Sequence, residues 1–338
     1  MLIELYSPET VMLSDVRRKI LNWYARFDLF AGLMSGYETV LAREWFYVCQ
    51  QYHRQQMQLH PDNLNCKIER AIADHRLTAL DMSTLFAKLA RGSISLAEFM
   101  KQNVSISERI SAWRHTLDPE LTDSTYAVTS FAGARERDPN DIVDPYLPGG
   151  LYQGPLWTMN YLLIDWCAVS LMHKHQTAFI LQQQPSEELE ALALEQLRLF
   201  EAIEYWPGSP SGAVLAAQAS LGIASLFLPK DERHIMWCRK KLATIESMGY
   251  VYRIFLSDCI HSWYCRWALI HGDLGELGTL PGANRDASCV KGTFTRQLCA
   301  PSCRNSGTSP NSTTGGWTTT KVTRPSSAPF APSSRTAP

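Results

Sequence analysis

Apolar residues recur at steps of three and four from residue 16 to residue 270, and the two-residue alternation of a half-buried strand never persists. This period constrains the chain more than any other feature, because it gives each successive segment an apolar stripe that only a neighbouring helix can cover. The opening stretch, residues 17–46, reads RRKILNWYARFDLFAGLMSGYETVLAREWF. Val16, Ile20, Trp23, Phe27 and Phe30 step by four, three, four and three, which predicts a helix with that stripe against the core. Gly32, Ser35 and Gly36 then interrupt the pattern, and Val40, Leu41, Trp45 and Val48 begin a second run, so the stretch reads as helix, turn, helix. The expected fold is all-α, a layered array of antiparallel helices, with about eight to eleven of them between residues 14 and 272.

The remaining boundaries follow from capping and breaking residues. Pro61 and Asp62 stop the second helix near His60, and a third run from Ile68 to Leu89 ends near Gly92. Ser95 is placed to cap the next helix, which carries Phe99, Ile106 and Ile110 and closes at Trp113. Residues 118–150 lose the period and read as a long surface loop rich in Asp, Pro and Gly. Helix resumes from Pro155 to Leu181, where Asp165 and Asn160 must face solvent or hydrogen-bond to a neighbouring helix. Ser186 before Glu188 starts another helix, which Trp206-Pro207-Gly208 ends. An Ala-rich segment from Ala213 to Leu228 is too short to span a membrane and reads as a buried helix. Asp231 then starts a helix with Ile235, Cys238, Leu242 and Ile245 on one stripe, and Gly249 terminates it. A final periodic segment runs from Tyr252 to Ile270. Residues 1–13 are a lead, 14–275 the helical body, and 276–338 a tail rich in Ser, Thr, Pro and Gly that is expected to be disordered.

Composition supports a folded body, with 45% hydrophobic and 10% aromatic residues in 338. The net charge of −1 is unevenly shared: residues 278–338 hold seven Lys and Arg against one Asp, leaving the rest mildly acidic. Such a body, without any run of Lys and Arg, does not resemble a nucleic-acid surface. Nine cysteines are scattered with no C-x-x-C pair, which argues for free thiols in a reducing compartment and against a zinc site. Asp138, Asp141 and Asp144 are spaced like oxygen ligands, but the Asp-Pro pairs around Pro139 and Pro145 make solvated turns the expected reading. His173 and His175, two apart on one helix, point to different faces and are expected at the surface. Arg233, Arg239, Lys240 and Lys241 are read as a solvated helix face. The nucleophile elbow, the HExxH zinc motif and the Gly-rich phosphate loops are all missing, so no catalytic residues are assigned.

Three stretches carry a family resemblance. WYARFDLFAGL with SGYETVL and REW in the opening segment, LWTMNYLLIDW from Leu156, and EYWPGSPSGAVLAAQASLGIASLFLPKDERHIMWCRKKLATIESMGY from Glu204 together resemble the fungal-specific transcription factor domain. That domain is the helical regulatory region C-terminal to the zinc binuclear cluster of fungal regulators. The resemblance spans roughly residues 14–270 and implies an RNA polymerase II regulator acting in the nucleus, with this chain supplying the regulatory and not the DNA-reading part. The six-cysteine cluster itself is missing here, so zinc and DNA would enter only through a cluster encoded upstream. Partners implied are the transcription machinery or a second regulator, with a homodimer as a further option and no membrane. Two other readings stay open: a cluster-less cofactor or competitor of a full-length regulator, and an unrecognised all-α enzyme.

The surface expected to act lies in the opening stretch, where Arg17, Arg18, Arg26, Asp28 and Glu44 flank Trp23, Tyr24, Phe27, Phe30 and Trp45. Aromatics at helical spacing are more often core, in which case Trp23→Ala opens a cavity and costs about 3–5 kcal/mol. If the stretch is an interface instead, charge reversal at Arg17 and Arg18 weakens partner binding at unchanged stability.

Overall fold

The structure, a computed structural model, describes residues 5–146, 149–184, 186 and 188–249. The periodic segment after Tyr252 and the disordered tail expected from residue 276 lie outside the described residues. Among the described residues the fold is all-α, with nine α-helices and no strand. They are α1 (Pro8–Met12), α2 (Asp15–Ser35), α3 (Arg43–Leu59), α4 (Leu64–Ala90), α5 (Leu96–Ala112), α6 (Trp157–Ile180), α7 (Glu188–Tyr205), α8 (Gln218–Ser225) and α9 (Glu232–Ser247).

The caps work as the sequence indicates. Ser95 accepts from the Glu98 amide at 3.2 Å and Asp231 from the His234 amide at 3.0 Å, each satisfying an orphan donor at a helix start. Gly36 and Gly249 stand just past α2 and α9 at φ 72° and 88°, a left-handed conformation that costs glycine little. Short links make neighbours in sequence neighbours in space: α3 packs back along α4, and α6 packs along α7. The 27-residue α4 is central, touching α2, α3, α5 and α6, while α6 in turn carries α7 and α8. One large core runs through these helices, and a smaller cluster lies under Trp113, Leu121, Leu156 and Met159.

Helix α2 does not bury the stripe that its large residues predict. Val16 is 66%, Ile20 49% and Trp23 64% exposed, Phe27 is partly buried, and only Phe30 is in the core. The helix packs inward with Leu21, Ala25, Leu29, Gly32 and Leu33 instead, which at 100° per residue lie on roughly the opposite side. Smaller side chains allow the closer approach. A Cβ on Gly32 would meet the Tyr37 carbonyl oxygen at 3.1 Å, Thr39 Cγ2 at 3.3 Å and Ser83 Oγ of α4 at 3.4 Å.

The stretch from residue 118 to 150 is a loop as expected, with more exposed residues than buried ones, but it is anchored to the core and not solvated throughout. It begins with 3-10 turns at Pro119–Thr122 and Ser124–Tyr126 and buries Leu121, Val128 and Val143. Just past it the chain is held by Asn160 of α6, which accepts from the Tyr152 amide at 2.9 Å and donates to the Tyr152 carbonyl at 2.8 Å. The reason is that the segment has its own apolar residues, spaced too irregularly to give a period but enough to anchor it.

Candidate functional site

The six residues singled out in the opening stretch do not converge on one site. Arg17 stacks on Tyr6, 4.0 Å from the ring centre, and Arg18 lies 4.8 Å over Tyr52 while donating to the Met12 carbonyl. Asp28 is buried and accepts from the Val40 and Leu41 amides at 2.9 and 2.8 Å. Glu44 is exposed in the first turn of α3. Trp45 packs on the core at a small cavity of about 10 Å³, between Asn22, Cys49 and Arg76, a volume on the scale of a single water.

Arg26 has the most specific environment of the six. Its Nε and Nη2 donate to Asp165 Oδ2 and Oδ1 at 2.8 and 2.7 Å, the bidentate geometry that a guanidinium and a carboxylate favour. Ser220 Oγ of α8 donates to the same Asp165 Oδ1 at 2.8 Å. One junction therefore ties α2, α6 and α8 through groups at residues 26, 165 and 220. Beside it His75 is buried against Trp113, and burial lowers its pKa to about 4, so it is a neutral ring at cellular pH.

A second and larger ionic cluster lies where the 118–150 segment meets α7 and α9. Lys241 Nζ donates to Glu201 Oε2 at 2.6 Å and Glu204 Oε2 at 2.7 Å, and stands 3.9 Å from Asp141 Oδ1. The three central groups are sequestered from water: Lys241 is 2%, Asp141 1% and Glu201 0% exposed. Trp237 Nε1 donates to Glu201 Oε1 at 2.7 Å, and Arg135 Nη2 to Glu204 Oε1 at 2.5 Å. The Tyr205 hydroxyl donates to Asp141 Oδ2, and Arg137 and Arg233 both donate to the Asp141 carbonyl, at 3.1 and 2.7 Å.

The sequence reading missed this cluster. Asp138 and Asp144 behave as expected, turning the chain by accepting from the Asn140 and Tyr146 amides, but Asp141 between them points inward. Lys241 is not on a solvated face either: it lies three residues after Cys238 and four before Ile245, hence on the buried stripe itself. That spacing was the available signal. Among the described residues no group of three or more His, Cys, Asp or Glu is arranged to hold a metal ion.

The two histidines of α6 are a further correction, for both are buried. His173 Nε2 pairs with Asn103 Oδ1 at 3.0 Å, joining α6 to α5, and burial lowers its pKa to about 4. His175 meets the Phe227 ring at 5.3 Å on a different side of the helix. The thiols of Cys167 and Cys238 are raised to about 12 by burial and that of Cys49 to about 11, which makes them weak nucleophiles. No helix of the described residues is long and apolar enough to cross a membrane. Compared with known proteins, the chain matches no family model, no curated protein and no solved structure.

Proposed function

We propose that the chain is the regulatory, non-DNA-reading domain of a fungal RNA polymerase II transcription regulator, acting in the nucleus through protein or small-effector contacts. The observation that carries this reading is the Arg26, Asp165 and Ser220 junction. Each of its three residues comes from a different one of the stretches that resemble the fungal-specific transcription factor domain, separated by 139 and 55 positions in sequence. Segments that resemble one domain family thus meet through a specific buried polar contact, as parts of one inherited unit should. The exposed stripe of Val16, Ile20 and Trp23 on α2 favours contact with another protein over chemistry, since apolar side chains held outward are more useful for recognition than for proton transfer.

The test is a fusion of the full chain to a heterologous DNA-binding domain, read on a reporter gene in a fungal nucleus. Activation or repression above the DNA-binding domain alone, lost in Asp165→Asn, is expected. An unchanged reporter with the fusion present in the nucleus would overturn the proposal. Sequencing the genomic DNA upstream for an in-frame C-x-x-C-x6-C cluster distinguishes a regulator with its own zinc and DNA contact from a cluster-less cofactor.

A further inference from the structure

The cluster at Lys241 does not balance. Asp141, Glu201 and Glu204 bring three carboxylates, whereas Lys241 and Arg135 are the cations bonded to them. Within ion-pair distance the carboxylates therefore outnumber the cations by one, for Arg137 and Arg233 bond to the Asp141 carbonyl oxygen and not to a carboxylate. The unpaired position can be identified, since Asp141 Oδ1 is buried with no hydrogen-bond partner among the described residues, and Lys241 at 3.9 Å is too distant to supply one. An uncompensated charge in such a place is strongly unfavourable, and a proton taken up by a neighbouring carboxylate of the cluster lessens the repulsion on it.

We propose that this cluster is a proton-operated latch: with one proton shared among its carboxylates the 118–150 segment is clamped to α7 and α9, and loss of that proton releases the segment. The geometry gives the latch its reach. Asp141 and Arg135 belong to the segment, Glu201, Glu204 and Tyr205 to α7, and Trp237 and Lys241 to α9, so one charge change is felt on all three sides. Tyr146 continues the contact, its ring 5.7 Å from that of Tyr205.

The charged and titratable groups that face the cluster separate cleanly by pH. Burial raises Glu201 to about 7, Lys241 opposing the shift while Glu204 and Asp141 add to it. Glu204 is held below the ordinary carboxylate value: burial pushes it up, but Lys241 and Arg135 outweigh that. Tyr205 is raised to about 12 by burial and by its bond to Asp141, so it remains a donor. At the rim Asp138 is lowered to about 2, chiefly by Lys240. Arg137 and Arg233 are fixed cations on the Asp141 carbonyl, and His234 at the start of α9 pairs with Asp231 at 2.8 Å. Glu201 therefore carries the change between its ordinary value of 4.5 and about 7. Its folded pKa is raised, so the clamped state binds more protons than the released one across that window. Clamping is firmest at the acid end, weakens as pH rises, and levels off above about 7.

The experiment is amide hydrogen exchange of the full-length chain, read on the peptide covering residues 131–146 and corrected for intrinsic exchange, at steps from pH 5 to pH 8. The opening constant is expected to rise by up to about tenfold per pH unit between 5 and 7 and then to flatten. In Glu201→Gln, which keeps an oxygen for Trp237 but cannot ionise, the profile is expected to be flat. A profile flat in the wild type, or equally steep in E201Q, overturns the latch. Should E201Q not fold, the wild type still decides: infrared difference spectra must show a protonated carboxyl present at pH 6 and lost by pH 8, and its absence at pH 6 overturns the proposal.

Discussion

Two buried ionic sites, both formed across long stretches of sequence, behave differently because their charges are counted differently. At the Arg26 and Asp165 junction one guanidinium meets one carboxylate through two parallel bonds, with Ser220 filling a further lone pair. At the Lys241 cluster three carboxylates share fewer cations, and an Asp141 oxygen goes without a partner. The first is a fixed joint between helices, and the second a joint whose strength depends on a proton. Desolvation is severe at both, so the match in number and direction of partners, and not burial itself, separates a permanent contact from an adjustable one.

The largest effect should come from breaking the balanced joint. Asp165→Ala removes the carboxylate that accepts two bonds from Arg26 and one from Ser220, and is expected to cost about 3–5 kcal/mol in urea denaturation at pH 7. A loss under about 1 kcal/mol would mean that water or another acceptor replaces the carboxylate. At the unbalanced site Lys241→Met is expected to cost about 3 kcal/mol at pH 8 and less at pH 6, because Glu201 is ionised and needs the ammonium only above about 7. An equal cost at the two pH values would place Glu201's titration outside this range and erase the contrast between the sites. Arg26→Lys keeps the charge and removes the fork, so about 1–2 kcal/mol should be lost by the same measurement. The smallest effect is expected at Trp23, where truncation to Ala removes an outward ring whose contact is Phe27 at 4.8 Å between centres. It should shift stability by about 1 kcal/mol or less, well below the cost that a core tryptophan carries.

What could be read from the chain beforehand divides along a physical line. Helix existence, caps and stops follow from near neighbours, and Ser95, Asp231, Gly36 and Gly249 do locally what their residue types favour. Which face of α2 turns inward does not follow in this way, because the helix has two apolar stripes. The stripe that turns inward is the one whose Gly32 fits closely under Tyr37 and Thr39 of the following turn and Ser83 of α4, a match that depends on the surfaces it meets. The same holds for charge. Asp165 could be narrowed to solvent or a neighbouring helix, since an apolar segment offers it no third choice. Asp141 sits in a polar, Pro-rich stretch where solvation is the natural expectation, and only the arrival of α7 and α9 makes it a buried group. Lys241 was legible from its spacing to Cys238 and Ile245, but its charge weighed more heavily than its position.

Asp28 has a consequence for how the molecule assembles. Its carboxylate takes both the Val40 and Leu41 amides, reaching 12 and 13 residues along the chain from α2 to the turn before α3. Closing a loop of that length takes on the order of 10–100 ns and little entropy, whereas the junctions described above must wait for partners many times farther away in sequence. The α2–α3 corner is therefore well placed to organise before those junctions, with its geometry set by one side chain. In a kinetic series, Asp28→Asn is expected to give a higher Φ value than Asp165→Asn, the local contact forming before the distant one.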